Sequence, residues 1–125
     1  MFTVAYDEMT GLVECGCEGF LTLAEVREYG VRTADAAKRC RARFGHVRMF
    51  VQSFDSTIQS AEVMEEANKF NWEMSDPRDR MAISVSTALA RMQARRYYQS
   101  PQVGIFLSRE AAMKWLDAEA AVRAA

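Results

Sequence analysis

The chain has 125 residues, half of them apolar and 26% charged, with a formal net charge of −1. That length supports one hydrophobic core rather than two, and the composition is that of a folded globule, not a disordered chain. So small a net charge excludes a general attraction to nucleic acid or to anionic membranes and leaves only local charge patches to matter, and no run nears the ~20 apolar residues of a membrane-spanning helix.

Phe2 to Tyr6 alternate in strand fashion, Asp7 to Gly11 carry turn residues, and Leu12 to Glu18 read as a second strand, so the chain is expected to open with a β-hairpin. In that strand Cys15 and Cys17, two residues apart, share a face. Thr22-Leu23-Ala24-Glu25 is a capping box, and it starts a helix whose stripe is Leu23, Val26, Gly30, Ala34, Ala37 and Phe44. Gly45 ends it. Val47 to Gln52 is a short strand. Ser53 to Ser60 form a loop leading into a helix with Val63, Ala67, Phe70 and Met74 on one side, closed by Asp76-Pro77. Met81 to Ser86 is a nearly unbroken apolar run, the mark of a central strand covered on both faces. Thr87 to Tyr98 is a third helix and Val103 to Leu107 a last strand. Ser108 caps a final helix that aligns Ala111, Trp115, Ala118 and Val122. The order ββαβαβαβα predicts a single α/β domain over residues 1–125. Its mixed sheet pairs the opening strands antiparallel and runs parallel thereafter.

Several segments resemble the SpoIIAA-like family, which is related to STAS domains and has CRAL-TRIO-like features. They are the opening hairpin with Gly19-Phe20-Leu21-Thr22, the strand Arg80-Met81-Ala82-Ile83-Ser84-Val85-Ser86, and Val103-Gly104-Ile105-Phe106-Leu107-Ser108 running into Glu110-Ala111-Ala112-Met113-Lys114-Trp115-Leu116. The resemblance implies a non-enzymatic domain that binds a protein partner, a small apolar ligand or a membrane surface. In STAS-type anti-sigma-factor antagonists a serine at the start of the helix after the central strand is phosphorylated. The matching stretch here, Phe54-Asp55-Ser56-Thr57, keeps an Asp-Ser but lacks the Ser-Gly of those regulators, which counts against a phospho-switch.

The residues supply three candidate features. Ser56-x-x-Gln59 is itself a capping box, so Ser56 is either a cap or a phosphoacceptor. The segment from Arg78 to Tyr98 holds five arginines against the single acid Asp79. Arg91 and Arg95, four apart on one helix, are either a solvated face or a site for anionic headgroups or an acidic partner. Phe54, Ile58, Phe70, Trp72, Met74, Leu89 and Tyr97 are either core and interface or the lining of an apolar pocket between the sheet and the second and third helices.

No metal site or cofactor is expected, because the only histidine, His46, has no grouped ligands around it. A cysteine-dependent enzyme using Cys15 or Cys17 with His46 is the remote alternative. Phosphate loops, HExxH and GxSxG are absent from the sequence. Three cysteines and an N-terminus with neither a positive start nor a long apolar run predict a reduced, cytoplasmic protein, peripheral to a membrane if it meets one. The expected function is therefore non-enzymatic ligand or membrane-surface binding, without nucleic acid. The alternative is a regulatory protein-interaction module of the STAS kind, as a homodimer or with another protein.

Overall fold

A computed structural model describes residues 1–53, 60–69 and 76–124, apart from the side chains at 53, 64, 67–69, 97 and 118–124. The elements are β1 (Phe2–Tyr6), β2 (Leu12–Cys17), α1 (Leu23–Phe44), β3 (Arg48–Ser53), α2 (Ala61–Lys69), β4 (Arg80–Ser84), α3 (Ala88–Tyr97), β5 (Val103–Phe106) and α4 (Arg109–Ala124). One sheet joins all five strands in the order β1-β2-β3-β4-β5, with β1 antiparallel to β2 and the rest parallel. This is the α/β layout that the alternating apolar runs predict.

The hairpin turn is fixed by polar chemistry at both ends. The Asp7 carboxylate accepts the Met9 and Thr10 amides at 2.8 and 3.2 Å, and Gly11 follows with φ of 75°. A Cβ at Gly11 would stand 2.9 Å from the Phe44 ring, so the close approach of α1 adds to the backbone requirement for glycine. Both halves of the α1 capping box form: Thr22 Oγ1 accepts the Glu25 amide, and Glu25 accepts the Thr22 amide. At the other end Gly45 turns left-handed and donates to the Arg41 carbonyl, as a helix-ending glycine does.

Because strand order follows chain order, right-handed crossovers return each connecting helix to the same face. On that face Val13, Cys15, Met49, Met81, Ile83, Val85 and Ile105 pack under Ala36, Ala37 and Cys40 of α1 and Ala90 and Ala94 of α3. The alanines let both helices approach closely. On the opposite face Phe50 and Ala82 lie under Ala112 and Leu116 of α4, with Phe106 and Trp115 at the margin. All five residues of β4 are buried, as its apolar run predicts.

Two helical stripes differ from the expected ones. The buried side of α1 is Val26, Gly30, Thr33, Ala36, Ala37 and Cys40, and Ala34 is exposed. Thr33 and Cys40 replace it because a threonine methyl and a thiol bury readily, and the Cys40 thiol donates to the Gly11 and His46 carbonyls. In α4 the buried pair is Ala112 and Leu116, one residue beyond the Ala111–Trp115 line, which shows how little an alanine-rich helix specifies its own face. Ser60 caps α2, its hydroxyl accepting the Val63 amide.

At the amino ends of the parallel strands lies a polar hub. Asp79 is fully buried, and its carboxylate accepts the Val47 amide at 2.8 Å, the Asp76 amide at 3.1 Å and the Arg41 guanidinium at 2.9 Å. One carboxylate thereby ties the end of α1, the start of β3 and the turn into β4. Replacing Asp79 with Ala would leave those donors without an acceptor. The expected loss is about 3–5 kcal/mol of unfolding free energy, read by urea denaturation, with Asp79→Asn losing less. A loss below about 1 kcal/mol would show that the hub is dispensable.

Two further carboxylates, the exposed Asp7 and the half-buried Asp76, add a pH dependence. Hydrogen bonds from Arg78 hold Asp76 well below its ordinary value of 3.8, and the Met9 and Thr10 amides lower Asp7. These groups bind protons more weakly folded than unfolded. Their contribution is therefore complete above that ordinary value and is lost as the pH falls through the depressed folded values. Unfolding free energy should decline in acid below about pH 4, and the decline should be shallower in Asp76→Asn when urea midpoints are compared across pH.

Candidate functional site

The two ends of the parallel strands have different chemistry. The amino end is closed by the Asp79 hub, where the Arg80 guanidinium donates to the Pro77 and Asp79 carbonyls and Gln102 bridges the Asp76 and Asp79 carbonyls. Arg78 is held by Asp76 at 3.0 Å. Two of the five arginines between Arg78 and Tyr98 are therefore structural. Only Arg91, Arg95 and Arg96 belong to α3.

At the carboxyl end, β4 and β5 are adjacent but lead to opposite faces, β4 into α3 and β5 into α4. The Val85 amide still donates to the Phe106 carbonyl at 2.9 Å, and beyond that bond the two chains separate. Diverging connections of this kind open the crevice in which α/β sheets take ligands. Both departing helices begin there. Thr87 Oγ1 caps α3 by accepting the Ala90 amide at 3.1 Å, and Ser108 Oγ caps α4 by accepting the Ala111 amide at 3.1 Å. The α3 first turn contains no acidic residue, so its positive end is not offset locally, whereas α4 carries Glu110.

From this end α3 runs back across the sheet. Ala90 and Ala94 face the core, and the helix turns outward Leu89 (60% exposed) and Met92 (65% exposed) beside the exposed Arg95 and Arg96. Leu107, 51% exposed, follows β5 at the same end. Arg91 sits on the flank, half-buried, with an Nε that has no hydrogen-bond partner. The two alanines take the sheet, and Leu89, expected in the core or an apolar pocket, is exposed. On α2, Glu66 receives Arg27 of α1 at 3.0 Å.

Of the other predicted lining residues, Phe54, Ile58, Phe70, Trp72 and Met74 lie outside the described residues, as does Ser56. Tyr97 ends α3, and its side chain is likewise outside the description. Met92 and Arg96 were not singled out by sequence. Their signal was the spacing of three from Leu89 to Met92 and of four from Met92 to Arg96, which aligns all three once the core side of α3 is known.

Cys15 and Cys40 are buried, and Cys17 is half-buried. Cys15 is buried against α1 beside Tyr29 and Thr33, and burial pushes its thiol up to about 11. Burial also raises Tyr98 to about 12 and lifts Tyr29 well above the usual phenol value. The His46 ring meets the Phe44 carbonyl at 3.2 Å through Nδ1, and Cys40 meets the carbonyl of His46 rather than its ring. Among the described residues no group of three histidine, cysteine or acidic side chains could hold a metal ion. No helix among them is long and apolar enough to cross a membrane. Comparisons with protein-family models, with curated proteins and with solved structures find no match.

If the α3 cap supports this geometry, Thr87→Ala should lower unfolding free energy by about 1 kcal/mol in urea titrations, and Thr87→Ser should recover most of it.

Proposed function

We propose that this chain is a non-enzymatic binding domain of the SpoIIAA-like kind whose α3 face meets the anionic surface of a membrane. The observation that carries this reading is the outward face of α3, where Leu89 and Met92 stand in solvent beside Arg95 and Arg96. Two large apolar side chains standing in solvent on one helical face mark a surface that something covers in use. Apolar residues beside cations on one helical face suit the boundary between headgroups and acyl chains. The α3 amino end supports it further, since its uncompensated positive end and Arg91 both favour phosphate.

Such a contact is reversible. A few arginines near an anionic surface contribute on the order of 1 kcal/mol each, and two partly inserted apolar side chains add a similar amount each. Binding should therefore need anionic lipid and should weaken as salt rises. In flotation with vesicles of phosphatidylcholine and phosphatidylserine, the wild-type chain should float, and vesicles of phosphatidylcholine alone should leave it at the bottom. Arg95→Glu/Arg96→Glu should abolish flotation, and Leu89→Ser/Met92→Ser should reduce it several-fold with the fold intact by circular dichroism. Flotation unaffected by either pair would remove α3 from the contact, and absence of flotation for the wild type would end the membrane reading.

A further inference from the structure

The strand at the sheet's edge, β1, has a free side. Met1 and Glu18 exchange backbone bonds, and Asp7 donates to the Leu12 carbonyl, so the odd-numbered residues of the hairpin bond to β2. The backbone groups of Phe2, Val4 and Tyr6 consequently point outward, and no described strand pairs with them. Proteins normally blunt such an edge with a charge, a proline or a bulge. The segment Phe2-Thr3-Val4-Ala5-Tyr6 has none of these and is built from good strand formers.

Above this edge runs α1. The Arg32 guanidinium lies 5.6 Å from the centre of the Phe2 ring, and that of Arg39 lies 5.5 Å from the centre of the Tyr6 ring. The helix therefore runs parallel to β1, and the point midway between Arg32 and Asp35 falls near Thr3. A groove of about 390 Å³ opens between helix and strand, bordered by Val4, Tyr6, Val31 and Asp35 with those two arginines. Along this flank the charges follow one order, Glu25, Glu28, Arg32, Asp35, Arg39, Arg43, at helical spacings of three and four.

We infer that β1 pairs antiparallel with β1 of a second copy of this chain, forming a continuous sheet across a two-fold axis near Thr3. That axis sets Phe2 opposite Val4 of the second copy, and both have outward backbone groups. It also sets Glu25 opposite Arg43, Glu28 opposite Arg39 and Arg32 opposite Asp35, so each pair is of opposite sign. The spacing agrees as well. Neighbouring strands lie about 4.8 Å apart. With α1 seated over β1 and β2, its copy would run about 10 Å away, at the distance helices pack. Val31, 60% exposed, and the groove would be covered by the neighbouring helix. An isologous contact of this kind closes on itself and leaves no new edge. The contact is separate from the α3 face, so either can fail without the other.

Sedimentation velocity over a range of concentrations tests it. The wild-type chain should form a reversible dimer of twice the 14.2 kDa chain. Arg32→Glu sets two acids against each other across the axis, and Asp35→Arg sets two cations. Either alone should weaken dimerisation at least about tenfold. The double variant Arg32→Glu/Asp35→Arg restores opposite signs and should return the dimer to near wild-type strength. Arg32 and Asp35 are both exposed, and an unchanged thermal midpoint for dilute monomer would separate the effect from misfolding. In parallel, amide exchange at Phe2 and Val4 should slow at high protein concentration, with Thr3 and Ala5 unaffected. A wild-type monomer at every concentration, single variants that dimerise normally, or a double variant that stays weak would each overturn the inference.

Discussion

The Asp79 carboxylate is the constraint on which the rest of this fold depends. It is fully buried, and its oxygens are shared by the Arg41 guanidinium and the Val47 and Asp76 amides. A buried charge is tolerated only where partners surround it, and here each partner begins or ends a different element. The register of β3 against β4, Arg48 beside Arg80, starts one residue beyond these bonds. The Arg80 amide donates to the Val47 carbonyl at 2.9 Å, continuing the same alignment. From that fixed end the parallel strands run outward to their carboxyl ends, where hydrogen bonding within the sheet stops and the helices separate.

The arginines divide by what they meet. Those of the hub are consumed internally: Arg41, Arg78 and Arg80 all answer its acids or carbonyls. On α3, which starts at the carboxyl ends of the strands and runs back toward their amino ends, Arg95 and Arg96 are exposed in the last turn on the side that carries Met92. The same residue type thus stabilises in the hub and faces outward on the helix. Sequence proximity hides the difference, because Arg80 opens a fully buried strand and Arg95 lies on the outer side of a helix.

The two sheet faces are also unequal. Beneath α1 and α3 the core is broad, made of β-branched and sulfur-containing side chains under alanines. Beneath α4 it is small, and Arg109 lies 4.8 Å above the Phe50 ring while also meeting Glu14. The cation stacks on the ring of Phe50 beside the apolar cover of Ala112 and Leu116.

Much of this architecture was legible in the chain alone, for identifiable reasons. The capping box at Thr22, the stop at Gly45 and the apolar run of β4 are local patterns whose physics acts within a few residues, and all three stand in the structure. The order of strands and helices followed from the same patterns, and the handedness of crossovers then left few arrangements open. What local pattern could not supply was the direction of each helix's inner side where alanine dominates. An alanine packs or faces water with little difference in cost, so Ala34 and Ala111 were placed by the neighbouring surface rather than by their own preference. The fate of the arginines likewise waited for the fold. Only when the fold buried Arg80 at the start of β4 and turned Arg95 outward on α3 did burial, rather than composition, decide which charges were satisfied internally and which face solvent.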